Sequence, residues 1–234
     1  MESKVIGILG GLGPETTAHF YLDIISSLKE QGVFARPPIV AWSVPLPYAL
    51  ERTFITEGGG KDEYLSFLVD GCQRIERAGA DFIVIPCNSV HIFIQELRQR
   101  VQIPVLSIVE ETREFLRGAG LEKIVLLATT PTIEGDLYQT VLEQSGVRVK
   151  IPDAGQQAIL NRVIQRLAAS EADETDAKSF HNILESFLRT GTATILLACT
   201  DLQLLAEKEA EPMRVYDTIN ILVQATVRKW NNVH

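Results

Sequence analysis

Short, wholly apolar runs alternate with segments of helical period along most of this chain, and that alternation restricts it to a parallel α/β architecture. The expected strands cover residues 4–9, 38–44, 81–86, 104–107, 123–128, 147–152, 194–198 and 214–216. Parallel sheets are covered on both faces, so their strands need to be apolar throughout, as Phe82-Ile83-Val84-Ile85 and Ile195-Leu196-Leu197 are. Between the strands, apolar residues recur at intervals of three and four. Leu65, Leu68, Cys72 and Ile75 form one such stripe, Leu160, Val163, Ile164 and Leu167 a second, and Phe180, Ile183, Leu184, Phe187 and Leu188 a third.

The two halves echo each other. A strand running into small residues begins at Lys4 and another at Lys123. The segment from Gly79 to Cys87-Asn88 resembles the one from Gly191 to Cys199-Thr200, and the second cysteine follows the first by 112 residues, about half the chain. Ligands of open α/β sheets bind at the carboxyl ends of the strands, where both cysteines fall. The expected architecture is therefore two pseudo-symmetric parallel-sheet α/β domains with the active site in the cleft between them. Residues 1–112 would form the first domain and 113–207 the second, with a C-terminal helix in 208–234 returning to the first. Gly58-Gly59-Gly60 is expected to be a flexible loop free to close over a site.

Composition narrows the setting. The 234 residues are 46% hydrophobic, enough for a sizeable core, and carry a formal charge of −8. No basic cluster offsets that charge, which argues against nucleic acid as a partner. No apolar run is long enough to span a bilayer and no signal peptide is evident, so no membrane partner is expected. Three widely spaced cysteines suit a reducing cytoplasm better than a disulfide framework.

Gly10-Gly11-Leu12-Gly13-Pro14 follows the first strand, and its glycines permit a tight turn close to a ligand. It is no dinucleotide fingerprint, because Thr16 stands where the third glycine belongs and the second strand ends without an acidic residue. Pro86-Cys87-Asn88-Ser89-Val90-His91 closes a buried strand and is expected to open a helix. A thiol placed there would feel the positive end of the helix dipole, and the neighbouring amides with Asn88 and Ser89 could hold a carboxylate. Ala198-Cys199-Thr200-Asp201 repeats the arrangement. Cys72 lies on an apolar helical stripe and reads as structural. His91 reads as a hydrogen-bonded histidine, since no set of ligands completes a metal site around it.

Two thiols suit one chemistry in particular. Inverting a stereocentre requires removing the α-proton from one face and delivering a proton to the other. A thiolate and a thiol can exchange those roles, so one pair serves both directions without a metal or organic cofactor.

The motifs at 10–17, 86–91 and 198–201, with Leu-Ala-Thr-Thr-Pro-Thr at 127–132, resemble those of the aspartate/glutamate racemase family over nearly the whole chain. The resemblance implies two α/β domains, a homodimer, no pyridoxal phosphate, and Cys87 and Cys199 as the acid/base pair. It further implies that Asn88, Ser89, Thr130 and Thr200 bind the α-carboxylate or ammonium of an amino-acid substrate, that Leu12 approaches it through the first loop, and that Arg52 matches the arginine of aspartate-specific members. Those members also carry a Tyr and a Lys four residues apart on a later helix. An ungapped reading puts Gln165 and Ala169 at those places. Related enzymes include hydantoin racemases, maleate isomerase and arylmalonate decarboxylase. The leading expectation is therefore racemisation of aspartate or glutamate. The alternatives are a cysteine-dependent isomerase of a dicarboxylate such as maleate, a hydantoin racemase, or a non-catalytic small-molecule binding protein.

Overall fold

Every strand among the described residues runs parallel to its sheet neighbours, as the apolar runs require. The computed structural model describes residues 4–33, 35–57, 59–169, 171–206 and 213–231. Gly58 of the glycine loop, the first residues of the expected C-terminal segment up to 212, and residues 232–234 lie outside the described residues.

The chain divides into two compact units, Met1–Glu111 with Ile219–His234, and Thr112–Thr218. In the first, β1 (Ile6–Gly10), β2 (Ile39–Ser43) and β3 (Phe82–Val84) form a sheet of order β2-β1-β3. Helices α1 (Pro14–Glu30), α2 (Tyr48–Glu57), α3 (Lys61–Arg77), α4 (Ile94–Arg100) and α5 (Ile108–Gly118) accompany it, α5 running on into the second unit. The second unit holds a sheet of order β5-β4-β6-β7, built from β4 (Lys123–Ala128), β5 (Arg148–Lys150), β6 (Thr194–Ala198) and β7 (Arg214–Asp217). Its helices are α6 (Thr130–Glu134), α7 (Gln139–Glu143), α8 (Ala154–Ala168) and α9 (Glu174–Arg189). The final helix, α10 (Thr218–Asn231), begins at the end of β7 and otherwise belongs to the first unit, where Trp230 Nε1 donates to the Lys4 carbonyl at 2.9 Å.

The sheets repeat one plan. The strand before each cysteine, β3 or β6, pairs with the strand that opens its unit, β1 or β4. The residues of β1, β3 and β6 are buried or nearly so, which explains their unbroken apolar character. The helical stripes lie against them: Leu68, Cys72 and Ile75 are buried in the first core, and Val163, Phe180, Ile183 and Phe187 in the second. Asp153 caps α8 and Asp173 caps α9, each in a reciprocal capping box with the residue three positions on.

Residues 104–107 depart from expectation. They make only an isolated bridge, Val105 to Ile83, instead of a strand. Two ladder hydrogen bonds form, Ile83 N to Pro104 O at 2.8 Å and Leu106 N to Ile83 O at 2.9 Å. Pro104 lacks an N–H and α5 begins at Ile108, so the pairing has no room to extend. Arg98 secures the segment. Its guanidinium reaches the Val105 carbonyl at 2.9–3.0 Å and holds Glu110 in a two-pronged pair at 2.7 and 2.8 Å.

Candidate active site

In the first unit the site begins at the turn between β1 and α1. Gly11 and Gly13 adopt φ of 83° and 80°, the left-handed region that favours glycine, and Pro14 takes the first helical position. Thr17 fixes the turn: its hydroxyl accepts from Gly11 N at 3.0 Å and donates to the Gly13 carbonyl at 3.0 Å. Leu12, between the glycines, buries its side chain in the core cluster with Val44, Phe54 and Tyr64. What it offers to the outside is backbone.

Cys87 follows β3 and is half-buried, packed against that same cluster. The expected helix at this point is a 3-10 segment, Ser89–Phe93, which passes into the seven-residue α4. This corrects the dipole argument, because so short a segment aligns few peptide groups toward the thiol. The immediate surroundings of the sulfur carry the polarity instead. Its Sγ lies 3.6 Å from Ser89 Oγ. Asn88 is buried beside it. Tyr64, buried in α3, has its hydroxyl held well above the ordinary phenol range by burial first, then by the negative charges at Cys87 and Glu51. Tyr64 also packs at a tilt on Phe54 and stacks with Phe93, with ring centroids 4.3 and 6.3 Å away. One side of the Cys87 region is thus aromatic and dry. Arg52 stands exposed on α2, one residue after Glu51.

His91 serves the backbone. Its Nδ1 is 2.8 Å from the Cys87 carbonyl, and burial lowers its pKa to about 4 even though the Cys87 and Leu106 backbones favour the charged form. Neutral imidazole has one N–H, which the Cys87 carbonyl takes, so His91 supports the cysteine loop and is no base near neutrality. Cys72 is fully buried and its thiol is pushed up to about 12, by burial and then by Glu76, which fits a packing role. A depression of about 440 Å³ in this unit is lined by α1 and the strand ends, including Pro14, Thr17, Tyr21 and Ser43, and by no cysteine.

In the second unit Cys199 is buried at the end of β6 and caps the 3-10 segment Thr200–Leu204 in an extended conformation. Its Sγ is 3.9 Å from Asp201 Oδ2, and Thr200 is half-buried beside it. Thr130 follows the adjacent strand β4, at the start of α6. Two residues of α8 that no motif marks hold Thr130. Asn161 Nδ2 donates to Thr130 Oγ1 at 2.7 Å, and Gln157 Nε2 donates to Asn161 Oδ1 at 2.9 Å and to the Ala128 carbonyl at 3.0 Å. Gln165 and Ala169, proposed from the ungapped reading, are exposed; the pair four apart that reaches the strand end lies eight residues earlier. A spacing of four inside a well-capped helix was the available signal. Among the described residues, no group of three His, Cys, Asp or Glu side chains is placed to hold a metal, and no helix is long and apolar enough to cross a membrane.

Two parallel α/β units of one plan make up a two-domain fold that this chain shares with structures of the Asp/Glu racemases. The chain belongs to the Asp/Glu/Hydantoin racemase family, whose model matches residues 9–226. It is 30% identical over 227 residues to the broad specificity amino-acid racemase RacX of Bacillus subtilis, covering 95% of this chain and 96% of that one. An aspartate racemase homologue from Pyrococcus horikoshii OT3 superposes with a TM-score of 0.81 at 25% identity, covering 98% of this chain and all of that one (100%). The Picrophilus torridus aspartate racemase shares the fold, with a TM-score of 0.80 at 21% identity over 97% of this chain and 94% of its own.

Proposed function

We propose that the protein racemises an amino acid by a two-base mechanism in which Cys87 and Cys199 are the proton carriers. One cysteine, as thiolate, takes the α-proton and becomes a thiol. The other, as thiol, delivers its proton to the opposite face of the α-carbon and becomes a thiolate. Charge and protons balance, and the reverse reaction exchanges the roles. The carboxylate and ammonium of the substrate would be met by Asn88 and Ser89 in the first unit and by Thr130 and Thr200 in the second, with the Leu12 backbone in the glycine turn. The scheme calls on no pyridoxal phosphate or metal.

The observation that carries this reading is the repeated placement of a cysteine after β3 and after β6, each with a hydroxyl or carboxyl group within 3.9 Å of its sulfur or closer. Aspartate and glutamate are the first substrates to consider, with Arg52 as the side-chain partner. The neutral amides of Gln157 and Asn161 favour a second reading, a broader range of amino acids, in keeping with the breadth attributed to the Bacillus subtilis relative. We also place the protein in the cytoplasm, consistent with three cysteines that form no disulfide among the described residues, and as a homodimer, for which the exposed Tyr21 and Leu22 beside the α1 depression offer a surface.

Proton NMR in D₂O on a panel of L- and D-amino acids, without added cofactor, tests the proposal. Loss of an α-proton signal with appearance of the enantiomer is expected for at least one acidic amino acid. No exchange on any amino acid would overturn the reading and move attention to maleate and hydantoins.

A further inference from the structure

The hydrogen bonds around Thr130 have a direction, and it can be read from one fixed point. The Ala128 carbonyl, the last group of β4, can only accept. Gln157 must therefore present its NH₂ to it, and that same NH₂ donates to Asn161 Oδ1. With its oxygen turned toward Gln157, Asn161 has only its own NH₂ to offer Thr130, and it donates to Oγ1 at 2.7 Å. Turning either amide over would set two donors or two acceptors against each other. Gln157 holds this orientation although its own Oε1 is then buried without a hydrogen bond, a cost of the kind that isolated buried acceptors carry.

The consequence falls on Thr130. Its oxygen accepts from Asn161, its hydrogen-bond partner among the described residues, so its one hydrogen is left to point elsewhere. We propose that Gln157 and Asn161 set the hydrogen-bond direction at Thr130 so that its hydroxyl donates to the carboxylate of a bound amino acid. The two amides are positioning residues that act through Thr130. The inference rests on the racemase reading for the identity of the ligand, and on the geometry of the second unit alone for the direction.

The test is a double-mutant cycle in the full-length protein on the amino acid that the NMR panel identifies, with KM and kcat measured separately. Thr130→Val removes the hydroxyl and is expected to raise KM by roughly 10-fold or more, the scale of a hydrogen bond to a charged group. Asn161→Asp keeps the shape but can only accept, so Thr130 would turn its hydrogen toward residue 161. A KM rise of the same order is expected, with kcat changed by less than about 3-fold because no proton carrier is touched. In the Thr130→Val background, Asn161→Asp should add less than about 2-fold, since there is no hydroxyl left to redirect. An equal KM rise in that background would mean simple charge repulsion and would overturn the relay, as would a wild-type KM for Asn161→Asp. If Asn161→Asp fails to fold, Asn161→Ala serves: its KM effect should be smaller than that of Thr130→Val and should vanish in the double variant. Affinity measured by calorimetry on the same variants separates the two proposals. A wild-type protein that binds an amino acid without exchanging its α-proton overturns the racemase reading and leaves the relay to be judged on Kd. One that does neither overturns both.

Discussion

The imidazole of His91 holds the carbonyl of Cys87, with Nδ1 and the oxygen 2.8 Å apart across four residues. That contact ties the loop bearing the cysteine to a buried group whose pKa burial lowers from 6.5 to about 4. In the unfolded chain His91 takes up a proton near pH 6.5; in the folded protein it resists until about pH 4. Its contribution to stability is therefore present above pH 6.5 and is lost as the pH falls toward 4, by up to about 3 kcal/mol in all. His91→Asn keeps a donor at the Nδ1 position and cannot titrate. Urea unfolding of both proteins from pH 7 to pH 4 should show the wild type losing more stability than the variant over that window. Parallel curves would mean that His91 is not buried as a neutral group.

Cys72 should separate from the other two thiols in any labelling experiment. It is fully buried on α3, and its thiol, pushed up to about 12, supplies almost no thiolate at pH 8. Brief treatment of the native protein with iodoacetamide, followed by peptide mass mapping, should leave Cys72 unmodified while Cys87 reacts. Cys72→Ala should keep racemisation and lower stability by about 1 kcal/mol, the cost of a small cavity. Labelling of Cys72 in the folded state would contradict its packing.

The sequence was most legible where one physical demand acted alone. Strands β4 and β6 match their expected bounds because a strand buried on both faces leaves no choice but apolar residues. The glycine turn was legible because positive φ and Pro14 leave a clear signature. Residues 104–107 were misread because alternation cannot reveal that Pro104 and the start of α5 leave room for one bridge. Cys87 was placed at the mouth of a helix, but 3-10 and α-helical segments share short-range apolar spacing, and only the hydrogen bonds separate them. Gln157 and Asn161 were passed over because a spacing of four repeats along the whole of α8, and sequence alone does not say which turn meets the strand end.

Gly11 carries a demand that no other residue meets cheaply. At φ of 83° a side chain is strained, and a Cβ there would come 2.5 Å from Ser43 Oγ and 2.8 Å from the Val44 backbone nitrogen. The second contact is with backbone just beyond β2 whose N–H donates to the Gly10 carbonyl at 2.9 Å, so it cannot simply move away. Gly11→Ala should lower stability by about 2 kcal/mol or more and Tm by roughly 4–8 °C. The same shift should loosen the hydrogen bond from Gly11 N to Thr17, so a loss of activity larger than the loss of folded protein is expected. Differential scanning calorimetry beside initial rates checks both, and an unchanged Tm would show that the turn accommodates the methyl group.

The cysteine pair makes a sharper demand than loss of activity. A serine hydroxyl at either position is too weak an acid to become the required base near neutrality, so Cys87→Ser and Cys199→Ser should each cut racemisation at least 100-fold. On the proposed mechanism both thiols act in every turnover, so the double variant should be little worse than either single one. Half of the chemistry should nevertheless survive. The remaining thiolate can still take an α-proton from the enantiomer that presents it and return a deuteron to the same face. In D₂O, Cys87→Ser should exchange the α-proton of one enantiomer without inverting it, and Cys199→Ser that of the other. Opposite preferences in the two variants would assign a cysteine to each hand of the substrate. Equal exchange of both enantiomers in either variant, or undiminished racemisation, would show that a different group carries the second proton.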